Sequence, residues 1–448
     1  GPVAAGVGAC APTLGARAAG SLTYLERSFL EPSESARPWV LWHRMNGHVT
    51  KGGITLDLEA MRRVGLGGVI NFDAGTGIPK GPVQYLGAEW FALKEHAIRE
   101  AARLGLEFVM HNCPGWSSSG GPWITPERGM QQLTWSEAHV EGGGSVEVAL
   151  PLPFRKLGHY RDVAAIAYPS RRGEASLPTL LRSASSSNGP VSIEALGTSD
   201  LQAVVVRPAP GGGRAWLLLE FDEPYAAGSI TFVAASVREG APAGPPGGFG
   251  RSEPILLEAS DDGARFLRVA EIATEGGDDA TLATADFTPV TARFFRLSTA
   301  TATSYSQVRL AAAPRFEDWR KRTNAQYNGR GLRALSDPGP DVVPFDRVID
   351  VSGYVTDGVL RWPAPTGRWT VLRIGFTPLG TLNRSAPDTG IGLECDKYSA
   401  EAVSFHFDRM MQPLLPILAP LTNRGRMGLE VDSWEVGMQN WTPGFEKE

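Results

Sequence analysis

The chain has 448 residues, of which 42% are hydrophobic, 20% charged and 9% aromatic, the make-up of a packed globular protein with room for about two to four domains. Its formal net charge of -5 leaves no broad basic surface to neutralise a phosphate backbone, so nucleic acid is not an expected partner. The three cysteines, Cys10, Cys113 and Cys395, are too widely spaced for a disulfide framework or a paired-ligand zinc site, and no run of about 18 apolar residues spans a membrane.

Residues 1–22 are mostly small and have two readings, a flexible leader or the remnant of an export signal. In the second reading Val7-Gly8-Ala9-Cys10 loosely resembles a lipobox, which gives a periplasmic or secreted protein with a lipid anchor as an option. From 23 to 130 the chain alternates short apolar runs with amphipathic segments, the rhythm of βα units. The runs are Trp39 to Trp42, Gly68 to Phe72 and Phe108 to Met110. Between them, Ile54, Leu58 and Met61 keep helical spacing before Gly65, and Trp90, Leu93, Ala97, Ala101 and Leu104 lie on one helix face before Gly105. Parallel crossovers follow. Polar and aromatic residues come after each run, namely His43 and Asn46, then Asn71 and Asp73, then His111, Asn112 and Trp116. In a (β/α) barrel that edge carries the chemistry.

From 131 to 315 the pattern becomes short strands between Gly, Pro and Asp turns, with runs at 203–206, 215–221, 229–233, 254–259 and 292–297, and a loop from Glu239 to Arg251. This predicts an inserted β-sandwich. Its stretches Ile255 to Gly263 and Phe287 to Leu297 are similar to galactose-binding-like jelly rolls attached to carbohydrate enzymes. Bracing of neighbouring domains is the expected role, and sugar binding the alternative. Residues 316–393 read as a linker and a small β subdomain with strands near 348–352, 359–362 and 369–375. From 394 to 448 the βα rhythm resumes, with a helix opened by Ser399 and a strand from Gly428 to Val431. The expected fold class is α/β, a (β/α)8-type barrel whose first half is present, interrupted by the sandwich and the small subdomain.

The run from Gly428 to Pro443 ends a strand and at once presents Asp432 and Glu435 beside Trp434 and Trp441. Rings stack on sugar faces, and an acid among them has its pKa raised, so Glu435 suits proton donation to a glycosidic oxygen. The structural alternative is that Asp432 caps a helix that Glu435 begins. The loop from Cys113 to Trp123 has no Gly-Lys-Ser/Thr ending for phosphate and fits the wall of a sugar pocket. Asn112 has two roles open, holding a sugar hydroxyl or forming a turn. Asp73 likewise is either a substrate or cation ligand or a turn former. EF-hand, dinucleotide-binding, HExxH and G-x-S-x-G patterns are all missing.

Four ordered stretches, Arg37 to Ile54, Gly67 to Asp73, Asn112 to Trp123 and Asp432 to Trp441, together resemble glycoside hydrolase family 106, the bacterial α-L-rhamnosidases. The resemblance implies inverting hydrolysis of α-L-rhamnosides, a calcium ion near the sugar, export to the periplasm, and a rhamnose-containing glycan or glycoside as partner. It matches Glu435 to the general acid. Asp432, Asn112, Asp73 and Asn46 are then expected to position sugar or acid, with Trp42, Trp116 and Trp441 as pocket walls. His43 and Cys113 depart from the expected pattern. Only four of eight barrel strands are found. The catalytic base and the calcium ligands are therefore expected beyond Glu448, on the rest of a truncated chain or on a complementary C-terminal fragment. Two other functions stay open, a catalytically inactive carbohydrate-binding or scaffold protein and a glycosidase of different sugar specificity.

Overall fold

A computed structural model describes residues 23–75, 77–171, 174–200, 202–209, 211–237, 253–273, 280–315, 342–383, 385–422, 427–434, 437 and 439–447. The leader, the 239–251 loop and Glu435 lie outside the described residues.

Four strands, Trp39–Met45, Gly68–Ala74, Glu107–His111 and Met427–Glu430, form one sheet in that order, every neighbouring pair parallel. The helical spacing read above becomes helices Lys51–Arg63 and Ala88–Leu104. The first is capped by the Thr50 hydroxyl; the second ends at Gly105, whose φ of 71° is the left-handed conformation that glycine adopts without penalty. Ile54, Leu58, Trp90, Ala97, Ile98 and Ala101 bury the inner faces of these helices against Val69, Phe108 and Met110 of the sheet. Helix Ala400–Met410, opened by the Ser399 hydroxyl as its sequence predicts, and Leu414 and Leu418 close the same core. The βα rhythm thus does resume at the fourth strand. Among the described residues the sheet is open, with no closed barrel.

Between the third and fourth strands stand two further β units. The sandwich is built around strands Ala215–Ser236 and Thr281–Thr299, which pair with each other over most of their length and shift register where they bend. Leu217, Leu219, Phe221, Ile230, Phe232, Phe295, Leu297 and Tyr305 fill its core. The expected boundary at 131 is corrected by the pairing. Strands Gln131–Ala149 and Arg161–Pro169 join Val359–Pro378 in a separate five-stranded sheet, so the sandwich is nested inside the small subdomain instead of preceding it. No local signal marks this, because the partners are far apart in sequence. Arg315 ties the two units, reaching Glu137 and Glu174 at 3.1 Å each.

A ladder of main-chain bonds carries the chain back toward the parallel sheet. Pro378 pairs with Gln131, Leu379 donates to Met130 at 2.7 Å, Met130 to Glu394 at 3.1 Å, Asp396 to Arg128 at 2.8 Å, and Gly121 to Leu393 at 3.2 Å. Gly392 lies where this ladder meets the loop after the third strand; a Cβ there would sit 2.0 Å from the Gly121 carbonyl. No helix among the described residues is long and apolar enough to cross a membrane. Gly392→Ala is expected to cost about 1–3 kcal/mol or more by forcing two backbones apart, read as a lower urea midpoint in chemical denaturation of the full-length protein.

Candidate active site

Side chains alternate across a strand, so each strand of the parallel sheet shows one face to the helices and one away from them. In the first strand Val40, Trp42 and Arg44 point to the helices, whereas Trp39, Leu41, His43 and Met45 point to the open face. Parallel register then lines up one row across that face. His43 stands opposite Phe72, and His111 stands opposite Glu430; the pairing of Asn71 with Met110 puts Phe72 beside His111. The rings confirm the row, with centroids 5.5 Å apart for His43 and Phe72 and 4.3 Å apart, nearly parallel, for Phe72 and His111. Trp116, half-exposed, packs against His43 at 5.4 Å. At the other end of the row the fourth strand delivers Glu430, then Asp432 two residues later on the same face.

His111 is 2% exposed. Its Nδ1–H donates to the Cys113 carbonyl, and its Nε2 lies 3.2 Å from Glu430 Oε2. Burial pushes the imidazole down to about 4 despite the Cys113 bond. Burial also pushes the Glu430 carboxyl up, to about 7, helped by the charge of Asp432. His111 Nε2, Glu430 and Asp432 carry the group of ligand atoms among the described residues that could hold a metal ion, all within 4.8 Å of one another.

The other expected site residues fall elsewhere. Trp42 is corrected from pocket wall to core: its ring packs on the helix side and its Nε1–H donates to Asp57 at 3.1 Å. Asp73 also faces the helices. Its carboxylate accepts Lys94 Nζ at 2.6 Å and Trp90 Nε1 at 3.1 Å, while Lys94 also reaches Asn71 at 2.5 Å. Asp73 is therefore a buried counter-ion and not a ligand of the open face, and burial, only partly offset by Asp73, lowers Lys94 to about 8. Asn46 is buried with φ of 46° and donates to the Ile78 carbonyl at 2.8 Å, a turn lock. The Asn112 amide donates to Ser118 at 2.8 Å and so shapes the loop after the third strand. Trp441 is part-buried, edge-on to Phe445 at 5.6 Å, with its backbone bridged to Gln131.

Sequence reasoning missed Glu430, although its two-residue step to Asp432 marks a shared face. It also missed the run Glu394-Cys-Asp-Lys397. Glu394 is fully buried and accepts Lys397 Nζ at 2.6 Å and Ser119 Oγ at 3.1 Å. Lys397 lies over the Trp434 ring at 5.6 Å, and Trp434 meets Tyr398 at 5.5 Å. Trp434 is thus seated on this buried pair.

Aromatic and acidic side chains gathered at the C-terminal ends of parallel strands stand where enzymes built on βα units carry their chemistry. The chain belongs to the Glyco_hydro_106 family, described as alpha-L-rhamnosidase, whose family model matches residues 30–448, and the resemblance read in the sequence is borne out. It is similar to the solved rhamnosidase from Novosphingobium sp. PP1Y, at 31% identity and a TM-score of 0.69, over 94% of this chain and 41% of that one. A Formosa agariphila protein named "Putative beta-glucuronidase" is 28% identical over 428 residues, 95% of this chain and 25% of that protein. The chain therefore spans less than half the length of these relatives.

Calcium takes six to eight oxygen donors. A group in which one of three donors is a buried imidazole nitrogen does not fit it.

Breaking the Lys94–Asp73 pair from one side leaves an uncompensated buried charge. Asp73→Asn and Lys94→Met are each expected to cost about 3–5 kcal/mol, and the double variant clearly less than their sum, by equilibrium urea denaturation of the full-length protein.

Proposed function

We propose that the complete protein removes α-L-rhamnose from glycans or rhamnosides by inverting general acid/base hydrolysis, in the periplasm or outside the cell. The observation that carries this reading is the His43–Phe72–His111 row, with Trp116 at its His43 end and Glu430 and Asp432 at the other, in a chain of the α-L-rhamnosidase family. A (β/α)8 barrel completed by further strands is part of the same proposal. Glu435, three residues past Asp432, serves as general acid and protonates the departing oxygen. A carboxylate outside the described residues, about 6.5–9.5 Å from it, deprotonates water on the opposite face of the sugar. Asp432 accepts hydrogen bonds from sugar hydroxyls, and Trp116 stacks on an apolar sugar face. Calcium remains a proposal whose oxygen ligands come from outside the described residues, and no step here is routed through it.

The name of the Formosa relative raises a glucuronide as substrate. Electrostatics favour the neutral deoxysugar. Among the described residues of the four strands no Arg or Lys points from the open face to meet a uronate carboxylate.

The full-length protein is expected to hydrolyse an aryl α-L-rhamnoside and to leave an aryl β-D-glucuronide untouched; the reverse preference overturns the substrate assignment. Glu435→Gln is expected to lower kcat by about 10²–10⁴-fold with the fold retained, checked by steady-state kinetics beside circular dichroism. Trp116→Ala, a half-exposed site, should change stability by less than about 0.5 kcal/mol. It should raise KM by up to about tenfold, the loss of one stacking contact.

A further inference from the structure

The His111–Glu430 contact contains an unmet requirement. A carbonyl oxygen can only accept, so the bond to Cys113 fixes the His111 proton on Nδ1 and leaves Nε2 as a bare lone pair. That lone pair faces Glu430 Oε2, a second acceptor when the carboxyl is ionised, and neither atom has a hydrogen-bond partner although both are buried. Two acceptors side by side need something positive between them. The third member of the group, Asp432, brings a carboxylate oxygen within 4.8 Å of the other two ligand atoms.

We infer that His111 Nε2, Glu430 and Asp432 form a binding site for a divalent transition cation of the zinc or manganese class, distinct from the calcium that the family resemblance implies. Three features of the geometry carry the argument. Atoms at about 2.0–2.2 Å from one ion, at an angle near that of a tetrahedron or octahedron, lie roughly 3.0–3.4 Å apart, and Nε2 and Oε2 are separated by 3.2 Å. An imidazole whose other nitrogen donates to a backbone carbonyl is oriented and made more basic as metal-bound histidines are. A mixed nitrogen and carboxylate donor set suits zinc or manganese, whereas calcium favours oxygen alone. The Glu430 side chain is about one-quarter exposed, so coordination positions stay open on the solvent side. The site does not depend on which sugar is hydrolysed.

The test is isothermal titration of the full-length protein, stripped with a chelator, with zinc chloride, manganese chloride and calcium chloride separately. One equivalent of zinc or manganese is expected to bind and to be weakened at least tenfold in Glu430→Gln and in Asp432→Asn. Both positions are part-exposed, so unfolding midpoints without metal should match the parent protein. His111→Gln should weaken zinc more than it weakens calcium bound anywhere in the molecule. Binding of calcium alone overturns the inference. So does zinc or manganese binding that these substitutions leave unchanged, which places the ion elsewhere. No binding of any of the three overturns it as well, and assigns a shared proton to the Nε2–Oε2 gap. Metal binding is read without turnover, so failure of rhamnoside hydrolysis and failure of this site are seen separately.

Discussion

The parallel sheet depends on one return. The third strand ends at His111, and the fourth, which supplies Glu430 and Asp432, begins only at Met427, after two other β units have been built. Closing so long a loop costs entropy that grows slowly with length, but the returning strand must still be aimed. The aim comes from the antiparallel pair Gln131–Ala149 and Val359–Pro378, whose register brings Pro378 back beside Gln131, next to where the chain left. The ladder through Met130, Glu394, Arg128 and Gly121 continues that alignment down to the loop after the third strand. His406 completes it: its ring accepts the Trp123 indole N–H at 3.2 Å and donates to the Asn112 carbonyl at 3.0 Å, joining helix Ala400–Met410 to that loop.

Charge is sorted across the same sheet. Two carboxylates near the strand ends, Asp73 and Glu394, are each paired with a lysine at 2.6 Å, one on the helix side and one under the Trp434 segment. Glu430 and Asp432 have no lysine partner among the described residues, so the acidic groups of the open face gather at one end of an otherwise apolar and aromatic row.

Periodicity made the elements legible, because helices and strands that bury one side must repeat their apolar residues at 3.6 or 2. The helices at 51–63 and 88–104 and the strands at 39–45 and 68–74 were visible for that reason. Facing was harder. The first strand carries apolar residues on both sides, as strands of parallel sheets do, so an aromatic at its end does not reveal which side it serves; Trp42 belongs to the core and its neighbour His43 to the row. Asp73 reads as a ligand until Lys94, on a helix further along the chain, is seen to claim it. Pairing of 131–149 with 359–378 had no local signature at all. Asp432 and Trp116 were legible as residues of the loops that follow strands, whereas Glu430 was hidden inside an apolar run as an ordinary strand residue. Glu435 lies outside the described residues.

The sandwich enters after Pro169 and leaves before Ile349, and Ile349 pairs directly with Ala167. Its two connections to the rest of the molecule therefore stand on neighbouring strands, within a single strand spacing of about 5 Å. In topological terms the whole unit is an elaborated hairpin loop. Its own strands pair mostly with one another, so it can acquire its core without waiting for the parallel sheet. An insertion arranged in this way shortens the effective loop between the third and fourth strands, since the pairing of Ile349 with Ala167 takes the whole sandwich out of the path between them.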